Sequence, residues 1–223
     1  MNKVVFDIES LAYPLESFDE EQQEYITKFV KTDEELEDAK LKMNLSPLTA
    51  QLLAIGLYNP DTKRGKVLYQ SDVKENFFSE DSMIEFIGTD EKGILTVFWE
   101  DIKRYNQFIT FNGRGFDSPF LILRSAMLGV KPSRNLLPYR YDPKIHCDLL
   151  DQLTFYGAFR RYSLDFYCKA FNIKSPKSDG ITGLDMKQQL YEEKRFKDIA
   201  QYCIGDVIAT AELYKIWNDF VNV

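Results

Sequence analysis

The sequence predicts an α/β domain: a mixed central sheet flanked by helices. Three observations carry this. Short β-branched runs come early, helical patterns alternate with them, and the last third is mainly helical. The 223 residues are 44% hydrophobic and 14% aromatic, enough for a sizeable core.

The elements follow in order. Residues 4–8 read as a strand by their β-branched content. Residues 16–43 are acidic with scattered apolar positions, the pattern of one or two surface helices. The runs "QLLAIGLYNP" (51–60) and "KVLYQS" (66–71) form an expected hairpin, with Asn59, Pro60, Asp61 and Gly65 supplying the turn. Residues 91–105 carry Ile94, Leu95, Phe98 and Ile102 on one helical stripe, and "QFITFNG" (107–113) is another strand. Residues 118–130 are expected to be a helix capped by Ser118, with Pro119 in its first position and Gly129 as its stop. Residues 162–171 repeat that kind of pattern, and residues 195–220 read as one or two closing helices.

Net charge is -7, which argues against a polyanionic partner until its distribution is considered. Residues 16–38 hold ten acids and two lysines, whereas residues 124–177 hold ten Lys/Arg against four Asp, a net of +6. Arg160 and Arg161 are adjacent there, with Tyr156, Phe159 and Tyr162 close by. Such a mixture suits phosphate contacts and base stacking, and equally a solvated surface over core aromatics. Cys147, Cys168 and Cys203 are odd in number and widely spaced, so neither a disulfide framework nor a zinc site is expected. No signal pattern precedes the first strand, and the apolar runs are too short to span a bilayer. A soluble, cytoplasmic protein is the expectation.

Three places can carry chemistry. In "VVFDIES" (4–10), Asp7 and Glu9 interrupt an apolar run. Strand positions i and i+2 share a face, so the two carboxylates project side by side, with Ile8 opposite. Like charges that close repel and resist burial. Either the strand end is solvated or a divalent cation lies between them. In "FNGRGFDSPF", Asp117 stands between a strand and a helix, left free if Ser118 is the cap, while Gly113 and Gly115 would let a ligand approach the backbone closely. In "YCIGDVIATAELY", Tyr202 and Asp206 are i,i+4 neighbours. They are either a core Tyr beside a surface Asp, or a phenol presented together with a carboxylate.

A strand D-x-E, an Asp opening a helix after a later strand, and a helical Y-x3-D, in this order, resemble the DEDD superfamily of 3′–5′ exonucleases, which have an RNase H-like fold. The tyrosine makes the chain similar to the DEDDy branch. More narrowly, "FDIES", "TFNGRGFDSPFLILRS", "HCDLLDQL" and "YCIGDVIATAELY" resemble predicted exonucleases related to the proofreading domain of family B DNA polymerases. The resemblance implies one RNase H-like exonuclease domain over residues 1–223, with an acidic helical insertion at 16–43. It implies that Asp7, Glu9, Asp117 and Asp206 hold two Mg²⁺ or Mn²⁺ ions, the hard cations that carboxylate oxygens suit. Tyr202 would orient the attacking water. The substrate would be the 3′ end of single-stranded nucleic acid, DNA favoured, released as 5′-nucleoside monophosphates, with a polymerase or repair partner unidentified. Ile8, Asn112, Gly113 and Phe116 would line the pocket for the terminal nucleotide.

Two residues are read from the chain itself. His146, the sole histidine, is assigned a structural or substrate-contacting role, because it lies far from the final Asp in sequence. Lys177, in "SPKSDG", is a phosphate contact or part of a polar turn. Two competing readings are a catalytically silent nucleic-acid-binding module of the same fold and an oligoribonuclease-like enzyme acting on short RNA. The acidic segment suits the second, since it would repel long polyanions.

Overall fold

Strand β1 (Lys3–Ala12) is the spine of the sheet. It pairs antiparallel with β2 (Ala50–Tyr58) and parallel with β6 (Gln107–Thr110). β3 (Gly65–Gln70) returns from β2 as the expected hairpin, and β5 (Ile84–Thr89) lies parallel to β3. β4 (Glu75–Phe78) and β7 (His146–Asp148) form the two edges, so the order is β4-β5-β3-β2-β1-β6-β7. The computed structural model describes residues 2–174 and 184–222.

Alternation along β1 decides what covers each face. Val4, Phe6 and Ile8 join Ile94, Leu95 and Phe98 of α3 (Glu91–Asp101) and Phe120 and Leu121 of α4 (Asp117–Met127). Val5 and Leu11 point the other way, into a cluster with Ile199, Cys203, Val207 and Trp217 of α8 (Phe196–Phe220). Burying each large apolar side chain contributes about 1.5–3 kcal/mol. Both faces of β1 are therefore covered, and anything polar in its middle is enclosed by the same packing. The helix stripe Ile94, Leu95, Phe98 and Ile102 is fully buried, as its spacing predicts. Arg124 of α4 binds Glu91 of α3 through two nitrogens at 2.6 and 2.9 Å, tying those helices together.

The acidic stretch forms two helices, α1 (Glu20–Thr27) and α2 (Asp33–Met43). Asp19 and Gln22 make a capping box on α1, and Thr32 caps α2. Asn44 fastens the pair to β1: its carbonyl accepts from Ser10 Oγ and its Oδ1 from Ala12 N–H, both at 2.8 Å. The remaining helices are α5 (Leu149–Leu153), α6 (Leu164–Ala170) and α7 (Leu184–Glu192).

Two expectations are corrected. Strands β4 and β5 extend the sheet beyond the hairpin, although only the alternation of Ile84, Phe86 and Gly88 signals them. Ser118 does not cap α4. The helix begins one residue earlier at Asp117, because Ser118 N–H donates to the Gly113 carbonyl at 2.8 Å and the preceding loop turns tightly. Gly129 does stop this helix. It sits at φ +67°, and Val130 N–H reaches back to the Ser125 carbonyl in a Schellman closure.

His146 lies on β7 at 1% exposure. Its Nε2 meets Thr110 Oγ1 at 2.8 Å and its Nδ1 meets the Leu136 carbonyl at 2.7 Å. Both ring nitrogens are used inside the fold, which corrects the expected substrate contact to a structural role. Burial lowers its pKa to about 4. The unfolded value is about 6.5, so protonation favours the unfolded chain. This contribution to stability is whole above about pH 6.5 and falls as the pH drops toward 4, by up to about 1.4 kcal/mol per pH unit. Proton NMR of the single imidazole should show no titration above about pH 5, and a midpoint near 6.5 would contradict its burial.

Candidate metal and catalytic centre

Asp7 and Glu9 project from the α8 side of β1, where Asp7 stands opposite Gly56 of β2. Immediately after Glu9 the β1–β2 register shifts, with one extra residue on β2. Such bulges bend a strand and re-aim its side chains. Glu9 is 4% exposed and Asp7 half-buried. Asp117 enters from the first turn of α4, 2% exposed, and its Oδ1 accepts the Ile8 backbone N–H at 3.0 Å. That bond joins the start of α4 to the middle of β1. Asp206 and Tyr202 come from α8, whose residues Cys203 and Val207 pack against Gly56.

Electrostatics shows that these groups converge. The Asp7 pKa is raised well above the usual range, first by burial and then by the charges of Asp117, Asp206 and Glu9. The Asp117 pKa rises to about 7, with burial the main cause. The Tyr202 phenol is pushed up by burial, by the charges of Asp206, Glu9 and Asp7, and by its hydrogen bond to Asp206. A phenol in this setting stays protonated and donates. The charges of three elements distant in sequence thus act on Asp7 and oppose its ionisation.

Lys187 of α7 offsets part of that charge, with Nζ 2.7 Å from Glu9 Oε2. Burial works against its charged form, but Glu9, Asp7 and Asp206 overcome this and leave its pKa raised. Sequence reasoning missed Lys187. Its one signal is that it stands three residues before Leu190, which is buried, on the inward face of a helix. Lys187 balances one charge of four, so room remains for divalent cations.

A thiol lies beside the two β1 carboxylates. A ligand atom from each of Asp7, Glu9 and Cys203 lies within 4.8 Å of the others. The Cys203 thiol is pushed far up by burial and by Glu9, Asp7 and Asp206, so it remains neutral. Its Sγ points to the Asp7 carbonyl at 3.7 Å. The carboxylate oxygens of Asp7 and Glu9 beside it make this a candidate cation cluster.

The loop before α4 is held by Asp148, the last residue of β7. Its carboxylate accepts from the N–H groups of Asn112 and Arg114, both at 2.9 Å, and caps α5. Asn112 lies in the left-handed region at φ +63°. A Cβ on Gly113 would meet Thr110 at 2.4 Å, and one on Gly115 would meet Asn112 Oδ1 at 2.7 Å. These glycines are required by the tight turn itself. The Ile8 N–H is already taken by Asp117, so any contact of Ile8 with a nucleotide falls to its other atoms. Phe116 is half-buried against Phe120, ring centres 5.6 Å apart. Lys177 lies outside the described residues.

Gly56 determines how closely α8 approaches. A Cβ there would come within 2.7 Å of Val207 Cγ2 and 3.2 Å of Cys203 Sγ. Gly56→Ala should therefore lower stability by about 1–3 kcal/mol through overpacking, measured by urea unfolding. A variant as stable as the parent would show that α8 is not seated against this strand.

Comparison with known proteins places the chain. Residues 69–220 match the family described as predicted 3′–5′ exonucleases related to the exonuclease domain of PolB. That range includes Asp117, Tyr202 and Asp206; the β1 carboxylates precede it. DNA polymerase 1 of Sulfurisphaera ohwakuensis is 29% identical over 122 residues, covering 52% of this chain and 14% of the polymerase. DNA polymerase 1 of Sulfolobus acidocaldarius is 29% identical over 120 residues, covering 48% and 14%. The chain thus matches only a small part of those relatives. The family B DNA polymerase of the hyperthermophilic archaeon Pyrobaculum calidifontis shares the fold, with TM-score 0.60 at 16% identity, over 99% of this chain and 25% of that one. The chain belongs to the family of predicted 3′–5′ exonucleases related to the PolB exonuclease domain.

Proposed function

We propose that this chain is a metal-dependent 3′–5′ exonuclease that hydrolyses single-stranded nucleic acid, DNA favoured, and releases 5′-nucleoside monophosphates. The observation that carries this reading is the convergence of Asp117, Asp206 and Glu9 on Asp7. Residues 1–223 act in this reading as one exonuclease domain, with the acidic helices of residues 16–43 inserted into it. Among the described residues no helix is long and apolar enough to cross a membrane. The three free, buried thiols suit work in the cytoplasm.

Asp7, Glu9, Asp117 and Asp206 would hold two Mg²⁺ or Mn²⁺ ions. When bound, these supply charge balance and Lewis-acid stabilisation of the attacking and leaving oxygens of an in-line displacement. The protein's own groups do the rest. Tyr202 keeps its proton directed at Asp206, and its oxygen accepts the hydrogen bond that orients the attacking water. Asp117, fixed by the Ile8 N–H, keeps α4 in register with β1. Asn112 and Phe116 present the turn against which the terminal nucleotide rests, and Asp148 holds that turn rigid.

Asp7→Asn and Asp117→Asn should each lower Mg²⁺-dependent degradation of a labelled single strand by about a hundred-fold or more. Undiminished activity in either variant would reject the metal assignment. In the metal-free parent the raised Asp7 pKa means that ionisation costs stability, so this cost grows as pH rises above the unfolded carboxylate range. Metal-free Asp7→Asn should melt no lower than the parent. Mn²⁺ should raise the melting temperature of the parent and lose that effect in the variant. Tyr202→Phe should lower turnover while leaving KM nearly unchanged; an equal rate would remove the phenol from the reaction.

A further inference from the structure

We propose that residues 139–166 form a stacking platform for single-stranded nucleic acid, holding the nucleotides that precede the 3′ end received by the carboxylates. Its position in the reaction rests on the exonuclease reading; its binding chemistry rests on the surface alone.

One buried carboxylate organises it. Asp151 stands one turn after Asp148 at 3% exposure. It binds Arg140 at 2.9 and 2.5 Å and, more loosely, Arg161 at 3.4 Å. Two chain segments are thereby clamped beside the site. Arg114, in the turn before α4, donates to the Pro138 carbonyl and joins the first segment to that turn. Tyr167 of α6 packs on Phe111 with ring centres 5.6 Å apart, joining the second to the same turn.

The clamped segments turn aromatic rings outward. Tyr139, Phe159 and Phe166 are 73%, 65% and 53% exposed, and Tyr141, Phe155 and Tyr162 are exposed as well. Tyr162 and Phe166 stack at 4.2 Å with planes 11° apart, and the Arg160 guanidinium lies 5.2 Å over Tyr162. Phe155 and Tyr156 sit at φ 48° and 58°, a region that bulky residues rarely adopt, so the chain leaving α5 is held in an unusual conformation. An aromatic patch of this extent on a surface marks a binding site.

The charge indicates the occupant. Residues 139–166 hold four Lys/Arg against four Asp, but Asp148 and Asp151 are buried whereas all four cations are exposed. Arg140 and Arg161 are held by Asp151, but Lys144 and Arg160 have no acidic partner among the described residues. Exposed ring faces, a guanidinium and unpaired cations suit bases and phosphates together, and they accept any base because every base offers a π face.

The test uses the full chain with Asp7→Asn, in EDTA, so that binding is read without cleavage. The probe is a fluorescent oligothymidylate of about twelve nucleotides. Adding Phe159→Ala, Tyr162→Ala and Phe166→Ala should weaken binding about ten-fold or more. Unchanged affinity overturns the proposal. A second variant, Phe159→Leu with Phe166→Leu, keeps the apolar area; loss of affinity there supports ring stacking, and full retention overturns it. Substitutions that split a dimer while leaving affinity intact overturn it in favour of a contact between copies. Degradation by the wild-type chain with equal affinity in the variants removes the platform alone. A wild-type chain inert toward every strand, with ring-dependent binding intact, supports the platform and removes the exonuclease reading alone.

Discussion

Mutual repulsion among enclosed carboxylates is the constraint around which this molecule is arranged. Asp7 and Glu9 occupy the middle of the strand that both helical layers cover, and Asp117 and Asp206 are brought up to them from α4 and α8. Asp7 and Asp117 would not choose this arrangement by themselves, since burial and like charge both oppose their ionisation. The apolar packing of β1, through Val4, Phe6 and Ile8 on one side and Val5 and Leu11 on the other, overrides that preference. The core thus stabilises a site that destabilises itself, as expected where function rather than stability selected the residues.

Several small devices keep the arrangement in place. The Ile8–Asp117 hydrogen bond couples the spine of the sheet to the helix that brings the third carboxylate. Gly56 lets α8 lie close enough for its polar face to reach Asp7. Asp148 holds the turn before α4 by two backbone N–H groups, and Asp151, on the next turn of chain, holds the arginines around it. Lys187 supplies a cation to Glu9 from a helix remote in sequence. Each is a single contact, yet each joins two elements whose relative position sets the spacing of the carboxylates.

Much of this was legible in the chain because local periodicity carried it. The D-x-E of β1 shows its shared face by the period of two, and Tyr202 with Asp206 shows its own by the helical i,i+4 rule. Other features depended on contacts that no local pattern encodes. Lys187 is one lysine among many until α7 packs on the sheet. Gly56 looks like any strand glycine until α8 crosses it. His146 could be structural or substrate-contacting by sequence, and only the fold shows that Thr110 and the Leu136 carbonyl take both its nitrogens. The Ser118-Pro119 pair suggested a cap, but Pro fits throughout a first helical turn, and the tight loop moved the start to Asp117. The aromatics after Asp148 could have been core or surface, and only burial distinguishes the two.

The central claim is that the enclosed acids exist to hold divalent cations. It is tested most directly by a crystal of the full chain grown with Mn²⁺ and a 5′-nucleoside monophosphate, measured at the manganese absorption edge. The account predicts two anomalous peaks among Asp7, Glu9, Asp117 and Asp206, with the nucleotide phosphate against them. Ordered carboxylates with no peak between them, or manganese bound only elsewhere, would contradict it.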